Sequence, residues 1–209
     1  MTRFAPEGYP FIAVFAALSA GVYAALGPLA AALPLALALF MLYFFRDPER
    51  SPAGEGFLSP ADGRVIKIEE VYEGDYLKAK ARLISIFMSP LDVHVNRAPC
   101  GGEVREVRHT PGSFKSAYTD EAHAGNENTA MFLDCGGRGV LVRQVAGSLA
   151  RRVVCRARPG DRLARGERFG IIKFSSRVDL YLPEDARVLV KFGDRVRAGE
   201  TVLAAEGRG

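Results

Sequence analysis

Three short motifs carry the side chains best suited to chemistry. Asp62 lies in SPADG (59–63), His94 in MSPLDVHVNRAP (88–99), and Ser175 and Ser176 stand side by side in KFSSRVDLYLP (173–183). A carboxylate, an imidazole and a hydroxyl are the parts of a base-activated nucleophile. Each also has an ordinary reading. Asp-Gly is a common turn pair, so Asp62 alone need only make a turn. A lone histidine is more often structural than catalytic, and His94, between two valines and beside Asp92 and Asn96, gains weight only with an acid and a nucleophile. Ser148 in AGSLARR is a second candidate nucleophile. Neither serine stands in a GxSxG elbow, which points away from a conventional hydrolase and toward attack on something other than an external ester. Asn126, Glu127 and Asn128 in GNENTAMF read as a polar loop before a strand, and His109 and His123 have no motif of their own. No set of His, Cys, Asp and Glu has metal-ligand spacing.

The elements that must position these residues are short. From Ser51 onward, stretches such as GRVIKIEEV, RLISIFMS and GVLVRQVAG alternate apolar and polar residues between Gly, Pro and Asp turns, which predicts a mainly β domain. GDRLARGERFGII (160–172) is echoed by GDRVRAGETVLAA (193–205), with both Gly-Asp and Gly-Glu displaced by the same interval. A turn-strand unit used twice predicts a compact sandwich resembling the barrel-sandwich hybrid of biotinyl and lipoyl carriers. Lys173, in IIKFSS, lacks the hairpin context of a carrier's modified lysine, so the carrier function itself is not indicated.

The first fifty residues read differently. Phe11 to Phe45 is an uncharged run of 35 residues rich in Ala, Leu and Phe. As one helix it would measure about 52 Å, against roughly 30 Å of bilayer hydrocarbon. Gly27-Pro28 divides it into Phe11–Leu26 and Leu29–Phe45, predicting a helical hairpin with both ends on one side in preference to a single kinked helix. Arg46 and Arg50 flank the run as at a cytoplasmic membrane boundary. The expected division is a membrane anchor over 1–50 and a catalytic domain over 51–209, at the inner cell membrane with the catalytic domain on the cytoplasmic side. The net charge of +4 suits an anionic lipid surface; no basic helix or aromatic-basic motif points to nucleic acid. Cys100, Cys135 and Cys155 are odd in number and lack CxxC spacing, which predicts free thiols in a reducing compartment.

Taken in order, FFRDPER, SPADG, MSPLDVHVNRAP, the segment from PGSF to NEN, and KFSSRVDLYLP resemble the short bacterial and archaeal branch of the phosphatidylserine decarboxylase family. Each motif alone is weak, but five in order from Phe44 to Pro183 are specific. The resemblance implies a precursor that cuts its own chain before a serine and turns that serine into a pyruvoyl group. It favours Ser176, which follows a GERFG stretch and opens a strand ending in Pro, over Ser148. The products implied are a β chain of 1–175 and an α chain of 176–209. His94 is implied as the base that activates Ser176, oriented by Asp62, and as the acid that later protonates the decarboxylated carbanion. The pyruvoyl group, with no pyridoxal phosphate and no metal, would form a Schiff base with a serine-headed phospholipid and release carbon dioxide. The partners implied are the membrane, the substrate lipid, the two chains of one precursor and a second copy in a homodimer.

The sequence departs from the family pattern twice. Ser175 stands where glycine usually precedes the processed serine, and Arg97 stands where longer relatives have a second histidine. Arg97 then takes part of substrate binding, pairing with the lipid phosphate or the serine carboxylate. The competing readings are a membrane-tethered serine hydrolase built on Asp62, His94 and Ser176, and a non-enzymatic β-sandwich adaptor. Phosphatidylserine and an archaeal ether analogue fit the motifs equally.

Overall fold

The computed structural model describes residues 3–113, 125–147, 153–173 and 176–207. Ser148, Ser175 and His123 lie outside the described residues. Contacts divide the chain into two compact units, Met1–Glu49 and Arg50–Gly209.

In the first unit, α1 (Tyr9–Leu26) and α2 (Pro28–Phe44) are separated by Gly27 at φ 83°, a conformation that glycine adopts freely. Pro28 opens α2, where its missing N–H has no intrahelical partner to lose. The helices fold back on each other, and Ser19 Oγ donates to the Ala31 carbonyl at 3.3 Å across the pair. At the open end β1 (Arg3–Phe4) and β2 (Arg46–Asp47) pair antiparallel, with Arg3 opposite Asp47. The Phe11 and Phe45 rings stack there at 5.6 Å. The apolar run is therefore a hairpin whose two ends are tied side by side. Pro6–Leu26, 21 residues, is long and apolar enough to cross a membrane, and Pro28–Phe44 is a shorter apolar helix.

The second unit is mainly β. Its strands are β3 (Phe57–Leu58), β4 (Gly63–Glu73), β5 (Ala79–Met88), β6 (Val95–Arg97), β7 (Gly102–Thr110), β8 (Asn128–Asp134) and β9 (Gly139–Ala146). There follow β10 (Val153–Cys155), β11 (Arg162–Leu163), β12 (Arg168–Ile172), β13 (Ser176–Pro183), β14 (Arg187–Val188), β15 (Arg195–Val196) and β16 (Val202–Ala205). One eight-stranded sheet runs β11-β7-β8-β9-β13-β5-β4-β15; two three-stranded sheets run β10-β12-β6 and β14-β16-β3.

The repeat in the sequence organises this arrangement. Its first copy supplies β11 at one edge of the large sheet and β12 in the middle of one small sheet; its second supplies β15 at the other edge and β16 in the middle of the other small sheet. The turns match bond for bond. Gly160 N–H donates to Val104 O and Gly193 N–H to Val65 O, each at 2.8 Å. The Asp161 carboxylate caps the Arg158 amide at 2.8 Å and the Asp194 carboxylate caps the Lys191 amide at 2.9 Å. Duplication also relates what these turns bind: Gly199 N–H donates to Ser59 O at 2.8 Å and Gly166 N–H to Ala98 O at 2.9 Å. SPADGRV (59–65) is thus the structural counterpart of APCGGEV (98–104), with Asp62 where the other copy has Gly101. The barrel-sandwich character expected from the repeat rests on this pairing of halves.

β13 lies between β5 and β9 and is buried along nearly its whole length. Val178, Leu180 and Leu182 join the main core with Ile84, Ile86 and Val142. Alternation sends Arg177, Asp179 and Tyr181 to the opposite face. There the Arg177 guanidinium meets the Asp179 carboxylate at 2.9 and 3.1 Å.

Arg50 lies in the second unit, where Asp62 and Glu200 each hold one of its nitrogens at 2.9 Å. One expectation changes. Cys100 and Cys135 are joined by a disulfide with Cα atoms 6.3 Å apart, and Cys155 alone is free. The pairing of Glu103 with Asp134 brings the two cysteines, 35 residues apart, to the same end of adjacent strands.

Candidate active site

Ser176 is the first residue of β13, fully buried, with Met88 of β5 and Ala146 of β9 as its two register partners. Its Oγ lies 3.5 Å from Met88 Sδ. The same sulfur is approached at 3.8 Å by Asn96 Nδ2, which also donates to Pro60 O at 3.3 Å. Gln144 Nε2 holds the Asn96 carbonyl at 2.8 Å. Asn126 Nδ2 donates to Ala146 O at 2.7 Å, directly across from Ser176. Residues from four motifs, SPADG, MSPLDVHVNRAP, GNENTAMF and KFSSRVDLYLP, therefore meet around the start of β13.

His94 immediately precedes β6 and is fully buried. Its carbonyl accepts from Ile172 N–H at 3.3 Å, four residues before Ser176. Its Nδ1 lies 3.0 Å from the Asp92 carbonyl. A carbonyl can only accept, so in the neutral ring Nδ1 carries the hydrogen and Nε2 carries the lone pair. That assignment fixes which nitrogen can act as a base.

Asp62 immediately precedes β4. Its Oδ1 accepts from Ala198 N–H at 2.7 Å and its Oδ2 from Arg50 Nη2 at 2.9 Å. The orienting bond to His94 Nδ1 comes from the Asp92 backbone. Gly63 beside it has φ 154°, and a Cβ there would collide with the Phe87 carbonyl, so the glycine of the Asp-Gly pair is demanded by the strand as well as by the turn. Burial pushes the Asp62 carboxyl above the ordinary aspartate value; the Arg50 charge and the Ala198 N–H oppose the rise, and nearby Asp92 adds to it. Asp92 itself binds Arg195 at 3.2 Å and caps Ser89 N–H at 2.8 Å.

Arg97, expected to bind substrate, is buried. Its guanidinium donates to Gly166 O at 3.0 Å and its stem occupies the space a side chain at Gly199 would need. It bridges the tips of the two repeat turns. Met88 and Gln144 are not singled out by sequence, and Arg50 is read there only as a membrane-boundary cation. Gln144, an inward polar residue in the apolar strand GVLVRQVA, was the one with a visible signal. Among the described residues, no cluster of three or more His, Cys, Asp or Glu side chains is placed to hold a metal ion.

A buried serine at the start of a central strand, with the amide side chains of Asn96, Gln144 and Asn126 gathered at that strand end, makes a candidate active site on a β fold. A family profile described as phosphatidylserine decarboxylase matches residues 37–204. A relative from Symbiobacterium thermophilum, named phosphatidylserine decarboxylase proenzyme, is 48% identical over 205 residues, spanning 95% of this chain and 94% of its own. Relatives of the same name from Desulfotalea psychrophila and Pelobacter propionicus are each 45% identical, spanning 95% and 99% of this chain and 94% and 98% of theirs. The chain belongs to the phosphatidylserine decarboxylase family.

Proposed function

We propose that the chain is a self-processing precursor whose Ser176 becomes a pyruvoyl group, and that the mature protein decarboxylates phosphatidylserine at a membrane. The observation that carries this reading is Ser176 itself: a hydroxyl buried at the start of β13, one bond along the chain from the peptide linkage it would attack. The relatives' shared name, proenzyme, supports the same reading.

In the processing step Ser176 Oγ attacks the carbonyl carbon of Ser175. The C–N bond breaks, a C–O ester bond forms, and the hydroxyl proton passes by way of His94 Nε2 to the departing nitrogen. Loss of the Ser176 α-proton then expels the carboxylate of Ser175. The dehydroalanine left behind takes up water and releases ammonia. Asn96, Gln144 and Asn126 hold the strand ends around Ser176, so the reacting groups are fixed before reaction.

The residues at this position fit the group, because Ser176 is its source and a shell of neutral amides surrounds it. When formed, the pyruvoyl carbonyl supplies an electrophile for the lipid amine and an electron sink for the carbon–carbon bond that breaks. His94, with Nδ1 fixed by the Asp92 carbonyl, returns a proton to the carbon that has lost carbon dioxide. Asp62 acts through Arg50 and the Ala198 amide to hold the wall of the site, and Arg97 acts as a positioning residue between the repeat turns. The hairpin of α1 and α2 inserts in the bilayer and keeps the protein beside its lipid substrate.

A denaturing gel with intact masses tests the reading. The wild-type chain should yield two fragments, the smaller beginning with a pyruvoyl group, and Ser176→Ala should remain whole and inactive on phosphatidylserine. A whole wild-type chain that decarboxylates nothing overturns it.

A further inference from the structure

The second repeat turn differs from the first in a way the fold does not require. Counting back along the repeat, Leu189, Val190, Lys191 and Phe192 occupy the places of Arg156, Ala157, Arg158 and Pro159. The backbones are alike: the following glycines, Gly160 and Gly193, have φ 93° and 88°, and both turns carry the same aspartate cap. A proline therefore suffices to build this turn. The second copy nevertheless presents Phe192, 68% exposed, with Leu189 also outward.

This turn is tied to the catalytic motif. Arg195 Nη1 binds Asp92 Oδ1 at 3.2 Å, and Leu91, next to Asp92, is 63% exposed. Arg64 Nη1 donates to Gly193 O at 2.9 Å, fixing the same turn from β4. Two exposed apolar tips thus flank one rim. The rim is basic: Arg64, Lys191, Arg195 and Arg197 all face solvent. Its carboxylates are engaged internally, Asp92 by Arg195 and Ser89 N–H, Asp194 by the Lys191 amide, and Glu200 by Arg50 and Arg197. Bulky apolar tips set among cations are the chemistry of an anionic bilayer interface, where the tips enter the headgroup boundary and each cation adds on the order of fivefold to binding.

We propose that the Leu91 loop and the Leu189–Phe192 turn form a second membrane contact, separate from the helical hairpin, which docks the β unit on anionic phospholipid. Docking sets the loop that carries Asp92 and His94 at the level of the lipid headgroups. This rests on the membrane-lipid reading above and adds to it the face by which the β unit meets its substrate.

The chain has no tryptophan, so Phe192→Trp provides a single reporter. Tyr72→Trp is the control: Tyr72 is 70% exposed near the other end of β4, about 26 Å along the strand from Arg64. Both variants are made in the full chain and reconstituted in vesicles of phosphatidylcholine, with or without phosphatidylglycerol, bearing brominated acyl chains. The expected result is a blue shift and at least twofold stronger quenching for Phe192→Trp than for Tyr72→Trp, growing with the phosphatidylglycerol content. Equal quenching of the two reporters, or no dependence on phosphatidylglycerol, overturns the proposal. A blue shift without quenching, the mark of a protein partner or a second copy, also overturns it. Phe192→Ser should lower turnover of vesicle phosphatidylserine several-fold while sparing a soluble short-chain analogue; an equal loss on both counts against docking. The quenching arm reads docking even in a chain that never cleaves, so the two proposals fail separately.

Discussion

Asp62 offers the sharpest test of how the site is held together. Asp62→Ala removes a charge-assisted hydrogen bond to Arg50, worth about 1.5–3 kcal/mol, and strands the Ala198 N–H at about 1–3 kcal/mol. Release of the buried pair from its desolvation cost offsets part of this. The expected net loss is about 2–4 kcal/mol. Asp62→Asn keeps an acceptor for Ala198 but loses the charge opposite Arg50, and Arg50→Met removes the same interaction from the other side together with the Arg50–Glu200 pair. Both should cost about 1–3 kcal/mol, and the double variant should cost little more than either, leaving a coupling energy above 1 kcal/mol. Denaturation is followed in a Ser176→Ala background, where the chain stays in one piece; cleavage rates are read on gels with Ser176 present. If Asp62 acts by pinning Arg50 and Ala198, Asp62→Asn and Arg50→Met slow cleavage alike. Complete loss of cleavage in Asp62→Asn, together with a wild-type rate in Arg50→Met and coupling below 0.5 kcal/mol, refutes the pinning argument and returns Asp62 to direct contact with the proton transfer.

Other groups give further tests. Asp179→Asn should destabilise the uncleaved chain by about 3–5 kcal/mol, because it leaves the Arg177 charge buried without its carboxylate, whereas replacing both with Met and Leu should be close to neutral in a denaturant titration. Burial holds the Asp62 carboxyl above the ordinary aspartate range, so its contribution to stability is full below that range and is lost as pH rises through the raised value. The stability difference between wild type and Asp62→Asn should fall over that interval in pH-dependent melts. Non-reducing peptide mapping should recover a Cys100–Cys135 pair, and Cys100→Ser with Cys135→Ser should cost about 3–4 kcal/mol from the loop it closes. Burial pushes the Cys155 thiol up to about 11. Its alkylation at pH 8 should be on the order of a hundredfold slower than that of an unperturbed thiol, and comparable rates would argue against its burial.

Much of this architecture is legible in the residues, for reasons that differ by element. Gly27-Pro28 sets the hairpin because a positive-φ glycine followed by a helix-opening proline leaves the chain little alternative. The repeat is legible because Gly-Asp and Gly-Glu are local turn devices, readable without knowledge of their partners. What the sequence hides is pairing at a distance. Asp62 and His94 are the right residue types, yet nothing in their spacing tells that Asp62 faces Arg50 and Ala198 while a backbone carbonyl orients the ring. Arg97 reads in the sequence as an anion binder, and its burial between two glycine turns appears only once strand β6 is placed. Cys100 and Cys135 look unrelated because only the register of β7 with β8 brings them together. The polar loop around Asn126 gains its meaning only from Ala146, its partner across from Ser176.

The position of β13 bears on reversibility. Every described strand from Ser176 onward pairs with chain that precedes it or with its own neighbour: β13 with β5 and β9, β15 with β4, β16 with β3 and β14. A cut before Ser176 therefore severs the chain at the centre of its own largest sheet and releases neither piece. Before the cut, refolding is an encounter within one molecule. Afterwards it is an association of two, slowed by dilution and exposed to competition from aggregation. Under the proposed maturation, a cleaved molecule that unfolds has lost the connection that first assembled it, so its working lifetime would be set by how slowly the interleaved strands come apart.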